Sequence, residues 1–375
     1  MKTSKTALIL SVGYGAGHHA AAGAVAEELR SRGWNTRVED PCLLAHPHIF
    51  SWTQWFYNFC VRRAPWLWAV TYAQTDTADW SAKAHAPVFQ GVTDVVSALV
   101  QEEMPDVIIC TYPLYAHMLD ALAAEGKLAV PYAVVVTDSL EISRPWMVNQ
   151  APLICLPDDY SLQRVSERYA LMPQRLVSTG FPVRRAFAAL GASRELPTRD
   201  NLRLVYGAYA SMTRVRQDLT ALVAAYPEAY LTVIAGKRKD ELEEFASSRV
   251  TLIERSDDMP SLFASAHFYI GKAGAATVFE AYASRLPVIV NYTLPGQEQG
   301  NLELLLLDGA GVTARTAADL VAQINKLLRN GAAGWRRMQA AMEDSGREGG
   351  AARIVDALES KFIYQCNEEN DASYR

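Results

Sequence analysis

Apolar positions in this chain gather into short runs separated by stretches of helical periodicity. Ala7–Val12 is the first run and predicts a β-strand, and His18–Arg32 predicts a helix that stops before Gly33. Thr36–Glu39, Val107–Cys110, Tyr132–Thr137 and Leu153–Pro157 read as further strands, with helical patterns over Val92–Glu103 and Tyr115–Ala124 between them. Uninterrupted apolar strands alternating with helices imply a parallel sheet covered on both faces. The rhythm restarts with Leu202–Tyr206, Tyr230–Ala235, Val250–Ile253, Phe268–Ile270 and Pro287–Asn291. Between the halves, Leu190–Asn201 is polar and carries Pro197. The predicted organisation is α/β: two doubly wound, Rossmann-like domains facing a central cleft, over 1–188 and 200–335. Helices within 336–364 are expected to cross back to the first domain, followed by a disordered tail.

One segment departs from this rhythm. His48–Trp80 concentrates aromatic residues, among them Trp52, Trp55, Trp66 and Trp68, around the cationic pair Arg62 and Arg63. Aromatics at helical spacing form core in many proteins. The same composition suits an amphipathic surface set into a lipid interface. Both readings stand at the level of sequence.

Composition narrows the function. A chain of 375 residues is long for one core and comfortable for two. Its net charge of -5 makes it a poor general nucleic-acid binder, while leaving room for a local basic patch that meets an anionic membrane. Five cysteines without CxxC spacing point to reduced thiols rather than a disulfide framework or a zinc site. The N-terminus starts as a signal peptide does, but its apolar run is too short, and a first strand accounts for it. No apolar stretch reaches the ~18 residues of a membrane span, so membrane association is expected to be peripheral.

Candidate chemistry sits where strands end. Gly13-Tyr-Gly15-Ala-Gly17-His18 leaves the first strand and opens a helix. Glycines allow close backbone approach, and helix-start amides favour an anion. A dinucleotide fingerprint asks for glycine where His18 stands, although Asp40 ends the second strand as that fold requires. A nicotinamide-dependent oxidoreductase is therefore one alternative. His18 is either a packed helix-start residue or a general base, a role its ordinary pKa suits.

In the second half, Gly271-Lys-Ala-Gly274-Ala275-Ala276-Thr277-Val-Phe-Glu280 runs from a strand through a small-residue turn into a helix. Gly274–Thr277 can offer amides to a diphosphate, and Glu280 can accept from a ribose diol or merely complement the helix dipole. The loop Pro295-Gly-Gln297-Glu298-Gln-Gly-Asn301 supplies the donors and acceptors that sugar hydroxyls need. Asp158-Asp159 is one acidic pair without further ligands and reads as solvated loop.

These motifs, in this order, resemble the GT-B glycosyltransferase family of monogalactosyldiacylglycerol synthases and processive diacylglycerol glucosyltransferases, from about Ile9 to Val312. GHHAAA, Thr137-Asp138-Ser139 with Pro145-Trp146, Thr179-Gly-Phe-Pro182, GKAGAATVFEA and above all PGQEQGN carry the resemblance. It implies inverting transfer of glucose or galactose from a UDP-sugar to a diacylglycerol-like lipid acceptor, at the cytoplasmic face of a membrane, with no cofactor and no catalytic metal. It implies His18 as the base with Asp138 beside it, and Gly15, Gly17, Pro113, His117 and Trp146 along the acceptor cleft. It implies donor contacts at Gly207, Ser211, Gly274, Ala275, Ala276, Thr277, Glu280, Gln297, Glu298 and Asn301. The chain departs from the family at Tyr206–Met212, where Ala208 and Ala210 replace glycines and stiffen the loop. That departure supports a further alternative, a non-catalytic nucleotide-sugar-binding protein.

Overall fold

The apolar runs form two all-parallel sheets in the computed structural model, which describes residues 4–13, 17–63, 67, 87–169, 172–191, 194–294 and 298–364. The chain divides into two compact units, one of Met1–Cys60, Trp66–Arg184 and Gly349–Arg375, the other of Arg185–Glu348 with Val61–Pro65.

The first unit contains β1 (Thr6–Leu10), β2 (Asn35–Glu39), β3 (Val107–Cys110), β4 (Tyr132–Val135), β5 (Leu153–Leu156) and β6 (Leu176–Ser178), in the order β2-β1-β3-β4-β5-β6. Its helices are α1 (Gly17–Ser31), α2 (Pro41–Ala45), α3 (Pro47–Arg63), α4 (Pro87–Glu103), α5 (Pro113–Ala124) and α6 (Asp159–Arg168). Side chains alternate between two cores, as a pleated sheet requires. Leu8, Leu10, Ile108, Val134 and Ile154 pack with α4 and α5 through Val96, Tyr115 and Met118. Ala7, Ile9, Ile109, Ala133 and Leu153 pack on the other side with Val25, Ala26 and Leu29 of α1.

The second unit runs α7 (Arg185–Gly191), β7 (Arg203–Gly207), α8 (Met212–Ala225), β8 (Tyr230–Ile234), β9 (Val250–Ile253), α9 (Met259–Ser265), β10 (Phe268–Lys272), α10 (Ala275–Ala283), β11 (Val288–Tyr292), α11 (Gln299–Leu307), β12 (Gly311–Thr313) and α12 (Ala317–Asp344). Its strand order is β12-β11-β10-β7-β8-β9.

Two boundaries differ from the sequence reading. The segment expected to link the domains belongs to the second unit. Phe187 is buried edge-on against Phe263 at 5.7 Å, and Arg194 donates to the carbonyls of Phe263, Ser284 and Arg285. A polar, proline-bearing stretch reads as a linker because an arginine that caps backbone carbonyls cannot be told from a solvated one by type alone. At the other end, Trp335 and Met338 remain in the second core, so the return to the first unit comes at Gly349 rather than at 336. A last helix, α13 (Gly350–Glu359), lays Ile354, Val355 and Leu358 on the α1 side of the first sheet. β6 and β12, three residues each, are too short to register as apolar runs and were not expected.

Candidate active site

In an open parallel sheet, ligands bind outside the carboxyl ends of strands where the winding direction reverses. In the first unit that point lies between β1 and β3. β1 runs out into Ser11–Gly13 and returns as α1 at Gly17, β3 into Thr111–Pro113, and β4 into Thr137–Ser139.

His18 occupies the first turn of α1 and is buried. Its Nδ1 lies 2.9 Å from the carbonyl oxygen of Thr111 and 2.9 Å from Thr137 Oγ1. A backbone carbonyl can only accept, so Nδ1 carries the proton and Nε2 keeps the lone pair. Desolvation by burial lowers the His18 pKa to about 4, against a smaller raising contribution from the Thr111 bond. The imidazole is therefore neutral at pH 7, with a basic nitrogen at a fixed orientation. Thr137 stands in a motif the sequence reading quoted, but its role as the partner of His18 was not anticipated.

Asp138 follows immediately. Burial raises its pKa to about 6, partly offset by the indole of Trp146, whose Nε1 donates to Asp138 Oδ2 at 2.8 Å. Trp146 also lies 6.3 Å from the His18 ring, centroid to centroid. His117 is buried on α5 and donates from Nε2 to the Pro145 carbonyl at 3.0 Å, which anchors the turn that carries Trp146. The structure thus links His18 and Asp138 through Trp146, and His117 holds the turn behind Trp146 through the Pro145 carbonyl. Pro113 starts α5 half-buried, directly after the Thr111–Tyr112 end of β3. Gly17 opens α1, and no atom of the described residues lies within 4 Å of a hypothetical Cβ there. Gly15 lies outside the described residues.

Asp40 does not hold a ribose here. One carboxylate oxygen accepts from Leu43 N at 3.1 Å and Tyr115 Oη at 3.2 Å, and the other from Gly13 N at 2.9 Å. It caps α2 and ties down the glycine loop, which removes the structural basis of the dehydrogenase alternative. Asp158 is likewise a helix cap, accepting from Ser161 and from Ser139.

In the second unit the winding reverses between β10 and β7. β7 ends at Gly207, where a Cβ would meet the Tyr209 ring at 2.5 Å. Ala208 and Ala210, the departures noted above, turn their methyls into the core, which leaves Tyr209 directed outward. Ser211 Oγ accepts from Arg214 N at 3.3 Å and so serves as the N-cap of α8. Gly274 is the N-cap of α10 and makes no side-chain cap, so Ala275, Ala276 and Thr277 begin the helix with amides that no cap residue covers. Glu280 follows on the same helix, half-buried.

Glu298 is buried and ion-paired with Lys272, and its other oxygen accepts from Leu294 N at 3.0 Å. Asn301 is buried on α11 and donates to the Ala273 carbonyl at 3.0 Å. Gln297 lies outside the described residues. Lys272 is the residue the sequence reading passed over, though a cation between a strand end and a helix start was visible in the motif.

Of the aromatic segment, α3 is described. Trp52 and Trp55 are 61% and 59% exposed, whereas Phe50 is buried. Arg62 and Arg63 lie in the last turn of α3, with their side chains not described, and Trp66 and Trp68 fall outside the described residues.

Residues 18–183 match the family model for monogalactosyldiacylglycerol synthase, and residues 207–354 match the glycosyltransferase family 28 C-terminal domain. The processive diacylglycerol beta-glucosyltransferase of Bacillus cytotoxicus is 26% identical, across 96% of this chain and 95% of its own length. That of Bacillus licheniformis is 26% identical across 88% of each. Among solved structures, MurG of Acinetobacter baumannii superposes with a TM-score of 0.60 at 11% identity, over 95% of this chain and 99% of that one. A UDP-GlcNAc 2-epimerase from Neisseria meningitidis superposes with a TM-score of 0.59 at 12% identity, over 95% and 100%. At such identities the likeness fixes the fold and not the reaction. The two family models together decide the class: this chain is a GT-B glycosyltransferase and belongs to the family of monogalactosyldiacylglycerol synthases and processive diacylglycerol glucosyltransferases.

Proposed function

We propose that the protein transfers glucose or galactose from a UDP-sugar to a diacylglycerol-type lipid, with inversion, as a peripheral enzyme at the cytoplasmic face of a membrane. The observation that carries this reading is His18: a buried, neutral imidazole with its Nε2 lone pair fixed by the Thr111 carbonyl, inside the stretch that matches the synthase model. The acceptor oxygen forms the new bond to the anomeric carbon, and His18 Nε2 takes its proton. The bond from that carbon to UDP breaks, and its electron pair leaves on the phosphate. One displacement on an α-linked UDP-hexose gives a β-linked product, in keeping with the beta-glucosyltransferase names of the relatives. The amides and dipole of α10 serve the departing charge, so the scheme contains no metal step.

No described helix is long and apolar enough to cross a membrane. One feature supports work at a membrane surface. α3 carries Ile49, Trp52, Trp55 and Phe59 exposed at helical spacing, while its other side meets the glycine loop, with Gln54 Nε2 donating to the Gly13 carbonyl at 2.6 Å. A lipid acceptor would be delivered beside the proposed base.

The test is to incubate the enzyme with a panel of UDP-hexoses and diacylglycerol liposomes, with and without EDTA. A β-linked hexosyl lipid formed equally in both conditions is expected. An α-linked product overturns inversion, loss of product in EDTA overturns the metal-free scheme, and absence of any glycolipid overturns the acceptor.

A further inference from the structure

Lys272 closes β10 at the reversal point of the second sheet, two residues before the N-cap of α10. Its position is electrostatically odd. The start of a helix carries the positive end of the macrodipole and favours anions, so an ammonium there adds charge of the same sign. The side chain is nonetheless held in place on two sides. It is ion-paired with Glu298, whose side chain is 4% exposed, and its Nζ lies 5.4 Å from the centre of the Tyr209 ring. A Cβ on Gly274 would come within 2.7 Å of Nζ, so the ammonium stands directly over the turn that opens α10. Glu298 offsets the ammonium, and the amides that open α10 have no cap residue over them.

A second group points to a ligand at the same turn. The Asn301 amide nitrogen donates to the Ala273 carbonyl, which fixes the amide's orientation because that carbonyl can only accept. Asn301 Oδ1 is thereby left buried with no hydrogen-bond partner among the described residues. A buried acceptor of this kind carries an unrepaid desolvation penalty unless a donor reaches it. The turn therefore sets an ammonium, uncapped helix-start amides and an acceptor in want of a hydroxyl side by side, a combination that suits a sugar joined to a diphosphate.

We propose that Lys272 is a ligand of the donor diphosphate. Its ammonium keeps the Glu298 carboxylate and donates as well to a non-bridging oxygen of the phosphate nearer the sugar. Glu298 positions the ammonium, and Lys272 in return neutralises a carboxylate that would otherwise repel the diphosphate. As the bond to the anomeric carbon breaks, charge grows on that phosphate and the fixed ammonium meets it without a proton transfer. This rests on the donor being a nucleoside diphosphate sugar.

The test is calorimetric titration of the full chain with UDP, UMP and uridine, for the parent, Lys272→Met, and Lys272→Met combined with Glu298→Gln. Lys272→Met is expected to weaken UDP by roughly 10- to 100-fold, UMP less, and uridine not at all. The double variant is expected to stay weak for UDP. Unchanged UDP affinity in Lys272→Met overturns the proposal. So does recovery in the double variant, which would make Lys272 a counter-ion of Glu298 alone, and so does a uridine loss that matches the UDP loss, which would signal general damage. A parent that binds no UDP overturns the nucleoside diphosphate reading, and this proposal with it.

Discussion

A histidine acts as a base only if one nitrogen is free of protons and correctly aimed. For His18, burial meets the first condition and the Thr111 carbonyl the second. The pH dependence separates it from its neighbour. If neutral His18 is the essential base, kcat/KM should hold as pH falls and decline only near pH 4. If ionised Asp138 is required instead, the decline should centre near pH 6. His18→Ala should lower kcat by roughly 10²–10⁴-fold with UDP affinity intact. Normal turnover in that variant, or an acid limb at pH 6 that survives it, would move the base to Asp138. The position of His18 was legible because a glycine loop before a helix is a local pattern. Its partners were not, since Thr111 and Thr137 are 93 and 119 residues away in sequence. Asp40 misleads for the same reason: a carboxylate at a strand end looks alike whether it holds a ribose or, as here, the Gly13 amide and the Tyr115 hydroxyl.

At the scale of elements, strands and major helices were readable because burial on two faces leaves apolar runs that no other structure explains. α3 was not, because aromatics occupy both of its sides. Phe50 points inward, where it approaches Gly13, while Trp52 stacks on Phe56 and Trp55 on Phe59, both at 5.7 Å, along the exposed side. Side-chain type cannot separate these, and only the packing partner does. Because Trp52 and Trp55 are mostly exposed, replacing either by serine should change stability by no more than about 0.5 kcal/mol. Liposome co-sedimentation should fall while UDP affinity holds. With anionic vesicles the parent's binding should also weaken as salt rises, since a chain of net charge -5 needs local cationic contacts to adsorb. Variants that still bind vesicles as the parent does would place the membrane contact elsewhere.

At the scale of the molecule, the first unit is built from both ends of the described chain. The return is exacting: a Cβ on Gly350 would meet the Phe181 carbonyl oxygen at 2.1 Å, so α13 begins where only glycine fits. Arg353 Nε then donates to the Thr179 carbonyl at 2.6 Å, on the turn after β6. Further along, Arg32 of α1 reaches Asp356 at 2.6 Å and Glu359 at 3.1 Å, and Trp34 Nε1 donates to Glu359 at 3.0 Å. Between these polar fastenings Ile354, Val355 and Leu358 complete the core over Val25, Ala26 and Leu29. Apolar burial of this kind outweighs exposed ion pairs, which contribute about 0–1 kcal/mol each. Leu358→Ala should therefore destabilise the first unit by about 2–4 kcal/mol, and Asp356→Ala, an exposed partner, by far less. Hydrogen exchange reads this locally. Amides of α1 and β1 in Leu358→Ala should exchange roughly 30-fold faster or more, while those of β7 and β10 keep their protection and UDP affinity stays at the parent value. Equal loss of protection in both sheets would mean that α13 stabilises the chain as a whole. Unchanged exchange in α1 would mean that the first core closes without it.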